Sequence, residues 1–208
     1  MDKKQDLNIG AISFLLLATI SNAKLFPLCP NYNPMKAVAD RKRKQNIAEY
    51  IIYMYQMEDL IRAYQFNLED IRKYVVSHYP ISAGEKEETL SWFQNLTEEM
   101  ITDQLERRGH LRETQSFVED LAKLHWELLK KDKFYFEIYQ QAKPHLIHLM
   151  MEAKNEIPAN EVQLFLNAVY GRLLARLHGR EIPKDILEAT EIFGSLLSYL
   201  NWIYFEGS

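Results

Sequence analysis

Residues 40–66 read DRKRKQNIAEYIIYMYQMEDLIRAYQF, and the periodicity of that stretch decides the fold. Ile47, Tyr50, Ile51, Met54, Met57, Ile61 and Tyr64 recur at steps of three and four residues, the mark of one helical face turned towards a core. The opposite side is hardly less apolar, for it carries Ile52, Tyr53, Tyr55 and Leu60. A helix apolar nearly all round is central in its bundle or covered by a subunit. The spacing predicts one long helix over residues 40–66 as the core element.

Reading towards the C-terminus, Asn67 is a good N-cap with Asp70 three residues on, which predicts a shorter helix over 68–79 until Pro80. Residues 82–85 restart the chain, and Leu90, Phe93, Leu96, Met100 and Gln104 mark a third helix that Gly109 can end in a left-handed cap. Phe117, Val118, Leu121, Leu124, His125 and Leu128 mark a fourth, and Tyr135, Ile138, Ala142, Leu146 and Met150 a fifth. Pro144 offers no N–H to the carbonyl of Gln140 and crowds that turn, so a kink or a split is expected there. Val162, Phe165, Val169, Leu173 and Leu177 define a sixth helix ended by Gly179. Pro183 opens a seventh carrying Ile186, Ala189, Phe193, Leu196, Leu200 and Ile203. Gly171, inside the sixth helix, points to a close helix crossing. Nothing reads as a strand, and the connections are short. The expectation is an all-α, single-domain bundle of six or seven mostly antiparallel helices over residues 35–208.

Towards the N-terminus the pattern breaks. Residues 9–20 are a short apolar run behind Lys3 and Lys4 and before Ser21-Asn22-Ala23, the outline of a secretory signal. Asp2 and Asp6 dilute its positive end, and the run is well short of the ~20 apolar residues that span a bilayer. Pro27, Pro30 and Pro34 then deny regular structure. Two readings stand: a signal peptide on an exported protein, or an extension upstream of a start at Met35. The cluster Arg41-Lys42-Arg43-Lys44 close behind the apolar run favours retention on the cytoplasmic side, and cytoplasmic residence is the expectation.

With 47% hydrophobic and 26% charged residues the chain has the balance of a globular domain, so its core can hold the fold without a metal or disulfide staple. Cys29 is the only cysteine, so no intramolecular disulfide forms. A net charge of −4 argues against a broad phosphate-gripping face. There is no glycine-rich phosphate loop, no Gly-x-Ser-x-Gly elbow, no His-Glu-x-x-His and no cysteine pair for zinc. No histidine has Glu three residues before it, which closes the di-iron bundle route. His145, His148 and Glu152 share one helical face, but one helix supplies too few ligands; no metal and no cofactor is expected.

The polar residues that remain form the candidate site. Glu58, Asp59 and Arg62 fall within one turn, and Glu58 to Arg62 is the favourable four-residue spacing for an ion pair. His125 lies in the apolar stripe of its helix, as a base or as a core imidazole satisfied by a neighbouring carboxylate. With His110 and Arg176 these make a candidate binding cluster of Glu58, Asp59, Arg62, His110, His125 and Arg176, with no catalytic set.

Asn46-Ile47-Ala48-Glu49-Tyr50, Tyr53-Met54, Gln56, Glu58-Asp59, Ile61-Arg62-Ala63, Gly109-His110, Leu124-His125, Pro144, Tyr170-Gly171, Leu174 and Arg176, in this order, resemble a family of small helical bacterial proteins, domain of unknown function 4924, associated mainly with Bacteroidetes. The resemblance covers nearly all of residues 35–208 and implies a start near Met35, but neither an activity nor a catalytic set. The functional expectation is a non-enzymatic module acting through protein association, as a homodimer, in keeping with 12 Tyr, 10 Phe and 3 Trp. A ligand-binding or enzymatic bundle with a polar pocket around Glu58, Arg62 and His125 is the alternative. Weak nucleic-acid binding through Arg41 to Lys44 comes third.

Overall fold

The computed structural model describes residues 35–152 and 158–206. The leader 1–34, with its apolar run, its prolines and Cys29, lies outside the described residues. Among the described residues there is no strand. Eight α-helices follow one another among the described residues: α1 Met35–Gln45, α2 Ile47–Ala63, α3 Leu68–Tyr74, α4 Ala83–Thr102, α5 Arg112–Lys131, α6 Lys133–Glu152, α7 Glu161–Leu177 and α8 Lys184–Glu206. A 3-10 turn, Val76–His78, follows α3 and takes the place of the longer second helix expected up to Pro80. The all-α expectation holds. The count exceeds six or seven because the first long helix is two.

The division falls at Asn46. Its side-chain oxygen accepts the Glu49 N–H at 3.0 Å and its amide donates to the Glu49 carboxylate at 3.1 Å, a reciprocal cap that starts α2 afresh. The backbone ladder is nonetheless carried across, since Asn46 donates to Lys42 and Tyr50 donates to Asn46. From Tyr50 to Ala63 no residue of α2 is exposed. The helix that is apolar all round is therefore covered by its own chain.

Helix ends account for most other departures from the sequence reading. Leu105 N–H reaches back to Met100 and Gln104 N–H to Ile101, closing α4 well before Gly109, with Gln104 itself in the left-handed region at φ 57°. The same pair of bonds closes α2 over Gln65, at φ 51°, and α7 over Gly179, at φ 63°. Only the last of these three carries the expected glycine. Pro144 stands inside α6, which runs through it unbroken. It lies on the exposed side beside an exposed Gln140, so water reaches the carbonyl that lost its donor. Gly171 marks no close crossing, because a Cβ there would meet nothing within 4 Å.

The described residues form two compact units: 35–38 with Tyr55–Leu111, and Ala39–Met54 with 112–152 and 158–206. In the first, α3, the 3-10 turn and α4 pack together, and Ile71, Val76, Phe93 and Met100 are buried. In the second, α8 packs on each of α5, α6 and α7. Phe193 of α8 stacks on Phe165 of α7 with ring centres 4.9 Å apart. Burying a ring of this size stabilises by roughly 1.5–3 kcal/mol. Asn201 of α8 accepts the Ile47 N–H at 2.7 Å and so caps the start of α2 within the same unit.

Candidate functional site

Tyr55, Glu58, Asp59 and Arg62 lie at helical spacing along α2 in the first unit, and together they hold the loop that joins α4 to α5. Glu58 is fully buried. One of its oxygens accepts the Leu111 N–H at 3.0 Å, and the other accepts Nδ1 of His110 at 2.7 Å. A carboxylate only accepts, so the His110 proton on this side sits at Nδ1. The His110 ring lies flat on Tyr55, centre to centre 3.7 Å and 20° from parallel. Arg62 completes the arrangement: Nε donates to the Leu105 carbonyl at 3.0 Å, Nη2 to the Gly109 carbonyl at 2.5 Å and Nη1 to Asp59 at 3.0 Å. The ion pair expected between Glu58 and Arg62 is thus Asp59–Arg62, because Glu58 turns inward to the loop backbone. Gly109 is required there: its φ is 96°, and a Cβ would meet Leu105 Cδ2 at 2.8 Å.

His125 and Arg176 belong to the second unit. His125 is buried, and both ring nitrogens are engaged: Nε2 with Glu161 at 3.2 Å and Nδ1 with the Tyr135 hydroxyl at 2.6 Å. Glu161 accepts from Nε2–H, which leaves Nδ1 as the acceptor for the Tyr135 proton. Tyr139 donates its hydroxyl to the other Glu161 oxygen at 3.1 Å. Burial, and then the Glu161 charge, pushes the Tyr135 hydroxyl far above its ordinary value and that of Tyr139 up to about 12. Trp126, Tyr135, Tyr139 and Phe165 surround the imidazole edge to face, with ring centres 5.2 to 5.7 Å away. Arg176 stands exposed on α7, apart from this network.

Four of the six candidate residues are therefore joined in one unit, with His125 and Arg176 in the other. Neither described surface depression includes any of them: one, of about 200 Å³, lies between α3 and α4, and one, of about 350 Å³, beside Tyr64 and Asn67. Among the described residues no group of three or more His, Cys, Asp or Glu stands ready to hold a metal ion. His148 and Glu152 meet at 3.5 Å on an exposed face. In the basic cluster, Lys42 is paired with Glu49 and Arg43 with Glu113.

An aromatic corner in the second unit escaped the sequence reading. Asp132, the single residue between α5 and α6, accepts the Tyr135 N–H at 2.9 Å and the Tyr199 hydroxyl at 2.6 Å. The Tyr199 hydroxyl, and then the Tyr135 N–H, holds the Asp132 carboxyl below the usual carboxylate range. Tyr199, fixed from α8 in this way, lies between Phe134, 5.7 Å away, and Trp202, 5.4 Å away. Phe134 is 60% and Trp202 49% exposed. Glu161 was missed too, although an acidic residue opening a helix after Asn160 is a readable sign. Phe134 and Trp202 could have been found as aromatics lying off the core stripes of their helices.

A family model described as Domain of unknown function (DUF4924) matches residues 36–207. No curated protein and no solved structure matches the chain.

Proposed function

The chain belongs to the DUF4924 family, a domain of unknown function, and from that premise we propose that it acts by association, as a non-enzymatic helical module that pairs with a second copy of itself. The observation that carries the reading is the exposure of Trp126, Phe134, Phe136, Ile147, Met151 and Trp202 on the second unit. Side chains of this kind anchor interfaces, and much of their apolar surface stands in water. The groups with chemical potential are meanwhile committed to the fold: Glu58 to a backbone N–H and His110, Arg62 to two carbonyls, His125 through both nitrogens. Light scattering on the full chain tests this: a mass of twice 24.6 kDa supports it, and 24.6 kDa at every concentration overturns it.

The ligand-binding or catalytic reading draws on one observation, a quarter-exposed His110 ring oriented by the buried Glu58 carboxylate. A thermal-shift screen of small molecules in which a stabilising compound loses its effect in His110→Gln would carry it. Nucleic-acid binding draws less support, because two of the four cations at 41–44 are already paired. No helix among the described residues is long and apolar enough to cross a membrane. We infer cytoplasmic residence from the charge at 41–44. Protein from native cells that begins near residue 35 would agree with it, and protein that begins at Lys24 would assign export instead.

A further inference from the structure

We infer that His110 is a modification site, a phosphoryl acceptor whose Nε2 takes its phosphoryl group from an acyl phosphate; the inference goes beyond the association reading and stands apart from it.

Everything that holds the ring lies within the first unit. Buried Glu58 accepts Nδ1–H at 2.7 Å, and Tyr55, itself buried, covers one ring face at 3.7 Å. The backbone around the ring is fixed as well, at Leu111 by Glu58 and at Leu105 and Gly109 by Arg62. The loop is fastened by these bonds without the imidazole, yet the second Glu58 oxygen is given to the ring. With Nδ1 turned inward as the donor, Nε2 carries the lone pair, and it makes no hydrogen bond among the described residues. The quarter of the side chain that water reaches is left to the uncovered face and to the outer edge, where Nε2 lies.

An imidazole oriented in this way is a nucleophile. As Nε2 forms its bond, positive charge spreads over the ring, and a carboxylate on Nδ1–H stabilises that charge. Among the described residues Glu58 is the one buried carboxylate, so no other accessible histidine has this support. His178 Nδ1 lies 2.7 Å from the neutral Leu174 carbonyl, His148 meets exposed Glu152 through Nε2 at 3.5 Å, and His78 Nδ1 lies 3.1 Å from the Ser77 hydroxyl.

The step needs one co-reactant. Nε2 attacks phosphorus, and the N–P bond forms as the P–O bond to the acyl oxygen breaks. The carboxylate leaves with that electron pair, and the ring keeps its Nδ1 proton, hydrogen-bonded to Glu58. Arg107 and Arg108, three and two residues before the ring on the same fastened loop, stand exposed, and neither is ion-paired among the described residues. An arginine fork matches the oxygens of a phosphoryl group. Loop charge alone selects nothing, since exposed Glu106 stands next to them. A nucleophile backed by a buried carboxylate is what selects a group to be transferred, and the two uncommitted guanidiniums make that group phosphoryl.

Incubation of the full chain with acetyl phosphate, followed by peptide mapping at alkaline pH, tests this. An acid-labile phosphoryl group is expected on His110, with His78, His145, His148 and His178 unlabelled. Arg107→Ala with Arg108→Ala is expected to slow the labelling about 10-fold, while diethyl pyrocarbonate modifies His110 in that variant at the wild-type rate. At pH ~9, above the ordinary histidine range, diethyl pyrocarbonate is expected to modify His110 faster than His178. Glu58→Gln should slow His110 about 10-fold and leave His178 unchanged; the comparison within the wild type serves should that variant not fold. Phosphoryl groups spread over the accessible histidines, or none on His110, would overturn the proposal. So would a His110 no faster than His178, and an arginine variant labelled at the wild-type rate would overturn the phosphoryl assignment.

Discussion

The Arg62 guanidinium shows how a residue that reads as a ligand clamp becomes a fastener. Its three nitrogens donate to the carbonyls of Leu105 and Gly109 and to Asp59, so that it reads the backbone of a loop in place of a substrate. Arg62→Ala is expected to lower unfolding free energy in urea by about 1–2 kcal/mol, since hydrogen bonds from a charged donor contribute more than neutral ones even where, as here, they are only partly buried. Arg62→Lys should restore less than half, because an ammonium cannot reproduce the fork. Asp132 gives a second expectation. A carboxyl held low in the folded state contributes stability that is complete above the unfolded-state value near pH ~4 and fades as pH falls through the lower folded value. Asp132→Asn should remove that part of the acid dependence, so the wild type loses its advantage over the variant below about pH 4 in paired urea titrations. At this scale the sequence was partly legible. Spacing drew attention to Glu58, Asp59 and Arg62, but it paired Arg62 with the wrong carboxylate, because i to i+4 geometry says nothing about a loop returning from residues 105–111.

Helices were legible through their apolar stripes, and their ends were not. The stripes of α5 and α8 stand where periodicity placed them, because burial of one face is encoded at every turn, whereas α7 buries Val162 to Leu166 and Leu174 and leaves Val169, Leu173 and Leu177 half-buried. An end depends on one residue's φ and a few hydrogen bonds, and Gln65 and Gln104 take the left-handed position that sequence reading reserves for glycine. Gln104→Gly is accordingly expected to stabilise by about 1 kcal/mol by relieving that conformation at an exposed site. The converse holds at Gly171. With nothing within 4 Å of a Cβ, Gly171→Ala should stabilise by up to ~1 kcal/mol through helix propensity alone. A close crossing hidden at that site would instead make the substitution destabilising in chemical denaturation. Asn46 shows a third kind of ending, in which a reciprocal cap with Glu49 divides what periodicity reads as one helix. The Asn-x-x-Glu spacing was visible, but the unbroken apolar stripe behind it masked the boundary.

The second unit buries Phe165, Phe193 and Leu200 and leaves Phe134 and Trp202 exposed. The all-α architecture could be read from composition and period, which are properties of many residues together. The aromatic corner was legible only in part: Phe134 and Trp202 can be picked out as lying off the stripes of their helices, but their meeting at Tyr199 depends on the packing of α6 and α8. The candidate cluster suffered the same fate in reverse: its six residues were grouped by chemistry along the chain, and folding assigns them to two units. We propose that association is what the exposed aromatic side chains of the second unit serve. The most direct measurement is hydroxyl-radical footprinting of the full chain at low and high concentration. Phe134, Tyr199 and Trp202 should become protected as concentration rises, while Tyr74 of the first unit, which is also exposed, should not change. Labelling of the three corner residues that is the same at every concentration would contradict it.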